Sequence, residues 1–450
     1  MAFNSLVFIF IFLPVLLLIY RFLPRQAQNV FLLLASFLFY AWGSPEALVL
    51  ILLSTGFNYF SAVGIGKRLE EGNKGGAKLH LAIAVVFDVA VLAVYKYTGL
   101  GMPLGISFYS FSVMSGLFDV YYGRAPVRVN PFEFLLYIMF FPKVISGPIV
   151  QWKDFQEQVK NHPLTRDGFL EGFNLFLIGL FKKVLLADKL GTTFASVFAL
   201  PDQTVGMAWI GMLGYGLQLY MDFSGYSDMA IGLAKMFGFS FNKNFDYPYT
   251  SSNISEFWRR WHISLGAWFR DYVYIPLGGN RCSRSRHLIN LLVVWSLTGI
   301  WHGSTLNYLF WGLWHGLLVI LDKNVIGKPL ERTPRVFRML LTDLAVFVGW
   351  VFFFTQGVGN AFAYMGRLFG LGAAGFWNSA TTFCLTENLI LFVVSFLCCG
   401  PFVFNLHEKL TYRRRGPGMA VSIVLYAVLF VFCIANILGS TWTTFMYAAF

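Results

Sequence analysis

Long apolar runs separated by short polar or glycine-rich turns recur along almost the whole chain of 450 residues. A helix needs about 20 such residues to cross a bilayer, and by that measure the runs predict roughly 10–12 crossings. The pattern therefore predicts an all-α polytopic membrane protein. No fixed-period repeat occurs, and no polar stretch is long enough to fold alone, so we expect a single membrane-embedded domain over residues 1–450. Its parts are N-terminal helices (1–130), a core that carries the sequence motifs (131–330) and C-terminal helices (331–450).

One apolar run is interrupted in a way that a simple spanning helix does not allow. Residues 132–150 contain Pro142, Gly147 and Pro148, and proline and glycine both disfavour a regular helix interior. Irregular backbone survives at membrane depth only where protein or a water-filled cavity satisfies its polar groups. We therefore expect a re-entrant or tilted segment at this point.

The charge balance supports the membrane interpretation. Charged residues make up 12% of the chain and hydrophobic residues 57%, whereas soluble domains carry about 25% charged residues. This composition excludes an ordinary soluble enzyme and a disordered chain. The net charge of +12 belongs to loops that mark the cytoplasmic side of a membrane protein, so no nucleic-acid partner is expected. The same rule places the N-terminus outside and the basic loops 332–338 and 413–415 inside.

Cysteine usage and the absence of common catalytic motifs exclude several kinds of site. The five cysteines are Cys282, Cys384, Cys398, Cys399 and Cys433. They include no C-x-x-C pair, so neither a disulfide framework nor a zinc site is indicated. The chain also lacks a G-x-S-x-G elbow, a P-loop and an H-E-x-x-H pair. A nucleophilic serine enzyme and a zinc protease are therefore unsupported, and no metal site is expected.

His302 is the first candidate for chemistry inside an apolar run. The run begins at Leu288, and about 14 residues at 1.5 Å each reach only about 21 Å, short of the ~30 Å hydrocarbon core. A helix that begins at the inner face and ends at Gly303 would place His302 deep in the membrane. Imidazole exchanges a proton near neutral pH and suits a general base, and Gly299 and Gly303 would let a substrate approach closely. A buried histidine bonded to a backbone carbonyl fits the sequence equally well.

His262 follows a predicted helix start. Asn253 with Glu256 three residues later resembles a capping box, which predicts a helix from this point. On such a helix the i, i+4 and i+7 spacing collects one face, formed by Trp258, His262, Leu265 and Phe269. A histidine on that face could position a substrate, although a satisfied core histidine is the commoner outcome.

Arginines are concentrated in the same segment as His262. They are Arg259, Arg260, Arg270, Arg281, Arg284 and Arg286. Guanidinium groups bind phosphate well, so this cluster could attract coenzyme A, a phosphopantetheine carrier or anionic lipid. A positive-inside loop that only marks topology explains most of the cluster without a ligand.

Other polar groups in apolar runs are candidates for a tunnel or for helix packing. Asp222 and Tyr226 are i, i+4 neighbours on one helix face, and this polar stripe could line a tunnel or join helices. His315 lies in an aromatic setting that favours packing. Lys182 and Lys183 are expected to extend to the lipid headgroups.

The motifs taken together resemble a known family. Residues 258–265 (Trp-Arg-Arg-Trp-His-Ile-Ser-Leu) and 299–303 (Gly-Ile-Trp-His-Gly) are similar to the histidine signatures of the membrane-bound O-acyltransferases (MBOAT). The resemblance is greatest to the bacterial branch that O-acetylates alginate, peptidoglycan and related surface polysaccharides. Further similar segments extend over nearly the whole chain, at residues 39–42, 104–109, 218–232, 244–249, 270–280 and 311–316.

This resemblance implies a fold and a reaction. The fold would be a ring of about 10–12 transmembrane helices with re-entrant segments around a central tunnel. His302 matches the family's general base, and His262 matches its second signature histidine. The implied reaction moves an acetyl group from a cytoplasmic thioester, either coenzyme A or an acyl carrier, toward an acceptor outside, with no tightly bound cofactor. The candidate substrate or tunnel residues are Trp301, Trp258, Arg259, Arg260, Asp222, Tyr226 and His315.

The resemblance also implies a cellular context. Members of this branch lie in the bacterial inner membrane, contact membrane lipid and usually work with a separate periplasmic acetyltransferase subunit. Two other classes are compatible with parts of the sequence. An ion-coupled transporter or lipid flippase would explain the helices and the buried acid Asp88, and a catalytically silent scaffold would explain the aromatic residues. Neither accounts for two histidine signatures set among tryptophan and glycine.

Overall fold

The computed structural model describes residues 1–126, 128–412 and 417–439. Every regular element in these ranges is helical, which confirms the predicted all-α class. The α-helices in chain order are α1 (Leu13–Phe22), α2 (Arg25–Gly43), α3 (Pro45–Glu70), α4 (Lys74–Tyr97), α5 (Ile106–Tyr121), α6 (Pro131–Met139), α7 (Trp152–Lys160), α8 (Arg166–Phe181), α9 (Asp188–Phe198), α10 (Val205–Met236), α11 (Ile254–Arg260), α12 (Ile263–Phe269), α13 (Arg284–His302), α14 (Leu306–Leu321), α15 (Gly327–Leu330), α16 (Arg335–Phe354), α17 (Val358–Leu368), α18 (Ser379–Cys398), α19 (Phe402–Tyr412) and α20 (Pro417–Gly439). Short π-helical turns adjoin several of them, at Phe8–Phe12, Lys182–Ala187, Arg270–Tyr274 and Asp322–Ile326, and a 3₁₀ turn covers Pro248–Thr250. The predicted cytoplasmic loop at 413–415 lies outside the described residues.

Six of the described helices are long and apolar enough to cross a membrane. They are Pro45–Glu70, Lys74–Tyr97, Leu306–Ile326, Arg335–Phe354, Ser379–Cys398 and Gly418–Gly439. Their outward faces carry apolar side chains such as Phe60, Val86 and Ile390, which are 67–79% exposed. Such surface is stable only against lipid, so this is a multi-pass membrane protein. The remaining apolar runs form shorter or broken helices, such as α6 with 9 residues.

The interior is organised around α10. This helix has 32 residues, and most of its side chains are buried. Helices α8, α9, α16, α17 and α18 pack against it. A helix that is surrounded by protein in this way can carry polar side chains at membrane depth, because neighbouring helices can supply their partners.

Glycine pairs let α8 and α10 approach backbone to backbone. A Cβ atom at Gly232 would lie 2.5 Å from the Gly172 carbonyl oxygen, and one at Gly225 would lie 2.8 Å from the Gly179 carbonyl oxygen. These separations are below van der Waals contact and involve backbone, which cannot rotate away. Small residues at a helix interface are a usual means of close packing in membranes.

Replacement of Gly232 by alanine is expected to destabilise the protein by about 1–3 kcal/mol, because overpacking a tight interface forces backbone shifts. The measurement is the thermal unfolding midpoint in detergent. Gly56→Ala is the matched control, since nothing lies within 4 Å of a Cβ atom at Gly56. Equal midpoints for the two variants would contradict the packing argument.

The interrupted run is irregular, as its prolines and glycine predict. Helix α6 ends at Met139, and α7 begins only at Trp152, with irregular backbone between them. Side-chain hydroxyls from other elements satisfy this backbone: Ser36 Oγ accepts from Phe141 N at 3.1 Å, and Ser264 Oγ accepts from Ile149 N at 3.0 Å. The segment is therefore stabilised by surrounding protein, as irregular backbone in a membrane requires.

The prediction that Lys183 extends to the lipid headgroups is wrong. Its side chain is 1% exposed and forms ion pairs with Asp222 at 2.6 Å and with Asp188 at 2.8 Å. The neighbouring Lys182 pairs with Asp228 at 2.7 Å, and both of these side chains are about one-fifth exposed. Acidic residues on α9 and α10 supply partners inside the protein, so neither lysine needs the headgroup region.

Candidate active site

The described residues form a cavity of about 210 Å³ that both signature histidines line. Its walls are mainly aromatic and aliphatic, from Trp258, Trp261, Leu265, Phe269, Leu291, Val294, Trp295 and Trp311. The polar groups on its lining include His262, His302 and Thr298, and two cations, Arg270 and Lys323. An apolar cavity with a few convergent polar groups is typical of a substrate site.

His302 is the last residue of α13, which ends as predicted before Gly303. The helix begins four residues earlier than the apolar run, at Arg284, so a polar first turn precedes the apolar part. The imidazole is 2% exposed. It packs edge-on against Trp311, with ring centroids 4.8 Å apart, and against Phe353 at 5.1 Å. A buried aromatic surround limits its contact with bulk water.

The glycines beside His302 have a packing role, and the expectation that they leave room for a substrate is wrong. A Cβ atom at Gly303 would collide with the ring of Tyr308, and one at Gly299 would lie 3.2 Å from Leu309 Cα. Helix α14 therefore fills the space beside both glycines. The absence of side chains allows α13 and α14 to pack closely and holds His302 against the aromatic wall.

The local prediction for the His262 segment is half right. Helix α11 starts as predicted, because the Asn253 side chain accepts a hydrogen bond from Glu256 N at 2.7 Å. The helix does not continue to Phe269, however, since α11 ends at Arg260 and α12 begins at Ile263. The predicted single face of Trp258, His262, Leu265 and Phe269 is therefore divided between two short helices.

His262 occupies the break itself. Its backbone lies in the left-handed region, with φ 45° and ψ 53°, which non-glycine residues adopt only where the surroundings impose it. The side chain is 2% exposed and meets Phe223 edge-on, with ring centroids 4.7 Å apart. Strained backbone at a buried ionisable residue is typical of functional sites.

The predicted tunnel residues fall into two groups in the structure. Trp258 lines the cavity. Trp301 packs between the rings of Phe111 at 5.1 Å and His302 at 4.7 Å, and the Lys96 amine donates to its backbone carbonyl. Among the described residues, Trp301 therefore packs behind the aromatic wall of the cavity.

The remaining predicted tunnel residues lie outside the cavity lining formed by the described residues. Arg259 is exposed, and Arg260 pairs with Glu256 at 2.7 Å. Asp222 belongs to the Lys183 ion-pair cluster, and Tyr226 stacks on Phe3 with ring centroids 5.0 Å apart. His315 is fully buried among four tryptophans, Trp258, Trp295, Trp311 and Trp350.

A family model for MBOAT, the membrane-bound O-acyltransferase family, matches residues 31–365. The chain belongs to this family. The resemblance inferred from the histidine motifs is thereby confirmed. This MBOAT protein is an O-acyltransferase, and an acyl donor is one of its substrates.

Curated relatives of this O-acyltransferase include O-acetylating enzymes and a D-alanyltransferase. It is 40% identical to the probable alginate O-acetylase AlgI of Pseudomonas aeruginosa, over 83% of this chain and 75% of that protein. It is 33% identical to the peptidoglycan O-acetyltransferase of Helicobacter pylori, over 82% of this chain and 80% of that protein. Similarity to the teichoic acid D-alanyltransferase of Bacillus subtilis is lower, at 28% over 56% of this chain and 68% of that protein.

Sequence patterns did not indicate two residues of the candidate site. Lys323 follows α14 and lines the cavity together with Arg270, and a single lysine after an apolar run gives only a topology signal. Asn244 bonds the backbone around His262 from 18 residues away in the chain. Its presence in the motif at residues 244–249 marked the segment but gave no indication of this contact.

Proposed function

We propose that this MBOAT protein moves an acetyl group from a cytoplasmic thioester to an acceptor hydroxyl on the outer side of a bacterial inner membrane, for O-acetylation of a surface polysaccharide. The observation that carries the proposal is the shared cavity, which joins His262 and His302 to Arg270 and Lys323. The Arg270 side chain is 61% exposed, whereas His302 is buried. A donor with anionic phosphates at one end and a thioester at the other matches that gradient from an exposed cationic end to a buried base.

In this mechanism His302 acts as the general base. The imidazole takes the proton of the acceptor hydroxyl as the hydroxyl oxygen attacks the thioester carbonyl. The carbon–sulfur bond then breaks, the thiolate leaves and takes up the proton from His302, and the acetyl ester is released. His262 holds the reacting hydroxyl in line for attack, and the aromatic walls exclude water that would hydrolyse the thioester.

The cellular setting follows from the same proposal. The two relatives of higher identity are a probable alginate O-acetylase and a peptidoglycan O-acetyltransferase, and a polysaccharide of that class is the expected final acceptor. We assign acceptor delivery to a periplasmic acetyltransferase subunit, as the resemblance to the branch that O-acetylates surface polysaccharides implies. The N-terminus lies on that outer side, as the positive-inside rule predicts.

The transporter and flippase alternatives rest mainly on Asp88, a buried acid on α4. Asn58 Nδ2 donates to one Asp88 oxygen at 2.8 Å, so the acid has a partner on α3. Asp88 is not among the described residues that line the cavity. This arrangement favours helix–helix association, and acyl transfer remains the better account of the cavity.

A vesicle assay tests the direction of transfer. Purified protein is reconstituted into vesicles, and those in which the protein exposes its cytoplasmic side outward are selected. Acetyl-CoA with a labelled acetyl group is added outside, and the lumen contains the periplasmic subunit and the polysaccharide. Labelled ester in the lumen is expected from wild type and not from His302→Gln vesicles. Product that forms only when donor and acceptor share one side would contradict transmembrane transfer. A repeat with an acetylated carrier protein decides which thioester is used.

The cationic end of the cavity gives a separate prediction. The double variant Arg270→Gln/Lys323→Gln is expected to raise KM for acetyl-CoA about tenfold or more, since a hydrogen bond to a charged group contributes about 1.5–3 kcal/mol, with little change in kcat. Arg270 also pairs with Asp271 at 2.8 Å, so part of its charge is already compensated. Arg335→Gln, at an exposed cation on α16, is the matched control. An unchanged KM in the double variant would remove these cations from donor binding.

A further inference from the structure

Asn244 holds the break between α11 and α12 in place. It is 1% exposed, and its backbone carbonyl accepts from Ile263 N at 2.9 Å. Its side-chain Oδ1 accepts from Ser264 N at 3.1 Å and from Ser264 Oγ at 2.9 Å. Three hydrogen bonds to the two residues after His262 draw this backbone out of the helix. These hydrogen bonds explain why the helix is interrupted at His262 and why this residue takes the left-handed conformation.

The orientation of the Asn244 amide follows from these partners. A backbone N–H such as that of Ser264 can only donate, so the Asn244 atom that faces it is the oxygen Oδ1. The other amide atom, Nδ2, donates to Ser227 Oγ at 3.0 Å. The hydrogen-bond network therefore assigns the amide without ambiguity.

The same logic assigns the proton on His262. Its Nδ1 lies 3.2 Å from Asn244 Oδ1, and an amide oxygen can only accept. His262 Nδ1 must therefore donate, which makes the neutral ring the Nδ1–H tautomer. The hydrogen bond at one ring nitrogen decides the role of the other, so Nε2 is the nitrogen that carries the lone pair.

We propose that Asn244 is a positioning residue that sets the tautomer and the orientation of His262 for acyl transfer. The inference rests on the function proposed above. His262 lines the cavity, whereas Asn244 is not among the described residues that do so, so the Nδ1 edge is turned away from the substrate space. The Nε2 edge is then presented to the reacting hydroxyl, whose O–H donates to it and is held for attack.

The network extends from Asn244 to the irregular segment after α6. Ser264 Oγ donates to Asn244 Oδ1 and accepts from Ile149 N at 3.0 Å. The irregular backbone after α6 is therefore tied through Ser264 and Asn244 to the His262 ring. A change at Asn244 is expected to reach catalysis through the orientation of that ring.

A pair of variants separates positioning from general packing. Asn244→Asp keeps an oxygen that accepts from Ser264 and from His262 Nδ1, and is expected to retain kcat to within about tenfold. Asn244→Leu has a similar volume but no acceptor, and is expected to lower kcat by about 10²-fold, the usual cost of a misplaced reacting group. The KM for acetyl-CoA should change little in both, because the cations that meet the donor are elsewhere.

The decisive measurement is ¹⁵N NMR of histidine-labelled protein in lipid bilayers, with the His262 signals identified by their loss in His262→Gln. Wild type and Asn244→Asp are expected to show a protonated Nδ1 and an unprotonated Nε2, and Asn244→Leu is expected to lose that single tautomer. Asn307→Leu, which removes another buried amide that bonds Phe352 and Thr355, should leave the His262 signals unchanged.

Three outcomes overturn the proposal. They are an Nε2–H tautomer in wild type, an unchanged tautomer and kcat in Asn244→Leu, or an equal loss of kcat in the aspartate and leucine variants. If Asn244→Leu does not fold, the wild-type tautomer and the kcat of Asn244→Asp still test the proposal. The NMR result is independent of turnover, so a protein with the expected tautomer but no acetyl transfer would contradict the proposed function and leave the hydrogen-bond assignment intact.

Discussion

Replacement of His302 by glutamine is expected to lower kcat for acetyl transfer by about 10²–10⁴-fold, the range that general acid–base catalysis usually contributes. Glutamine keeps polarity and approximate size but cannot take a proton from the acceptor hydroxyl. The residue ends α13 against Trp311 and Phe353, and the substitution leaves these aromatic contacts available. The loss should therefore appear in kcat, with donor KM almost unchanged.

The measurement is transfer of labelled acetyl from acetyl-CoA by purified protein together with its acceptor subunit. His315→Gln is the matched control, because His315 is equally buried among tryptophans but lies outside the cavity lining of the described residues. Its effect on kcat should be clearly smaller. His262→Gln should fall between the two, since that residue positions the hydroxyl without taking its proton. Equal rates for wild type and His302→Gln would show that another group is the base.

Replacement of Lys183 by methionine is expected to destabilise the protein by about 3–5 kcal/mol, because removal of one partner of a buried ion pair leaves an uncompensated charge. Lys183 is the shared cation for Asp222 and Asp188, at 2.6 and 2.8 Å. Without it, two carboxylates remain in an interior of low polarity. The carboxylate of Asp222 is 2% exposed, so water cannot replace the lost ammonium group.

Thermal unfolding in detergent, with the yield of folded monodisperse protein as a second readout, tests this expectation. Lys182→Met is the matched control, since Lys182 and Asp228 are each about one-fifth exposed, so water can reach the remaining carboxylate and a smaller loss of stability is expected. The double variant Lys183→Met/Asp222→Asn should recover part of the lost stability. A Lys183 variant as stable as the Lys182 variant would mean that the cluster contributes little to folding.

Several features of this protein were determined by the sequence alone, because they depend on neighbours along the chain. The length and apolarity of the runs determined the all-α membrane class. Asn253 and Glu256 determined the start of α11, and Gly303 the end of α13 at His302. Proline and glycine in residues 132–150 determined that this run would be irregular. The histidine motifs were specific enough to indicate the acyltransferase family.

Other features were decided by contacts between residues far apart in the chain, and local patterns carry no direct record of those contacts. The helical spacing around His262 predicted one continuous helix, but hydrogen bonds from Asn244 to residues 263 and 264 outweigh that local preference. Apolar surroundings predicted that Lys183 would reach the headgroups, but Asp222, 39 residues away, pairs with it in the interior. Tertiary packing also brought Lys323 to the same cavity as His262. Each of these outcomes depends on a partner that only the folded chain places within reach. Long-range hydrogen bonds and buried ion pairs in the protein interior override the local propensities at these positions.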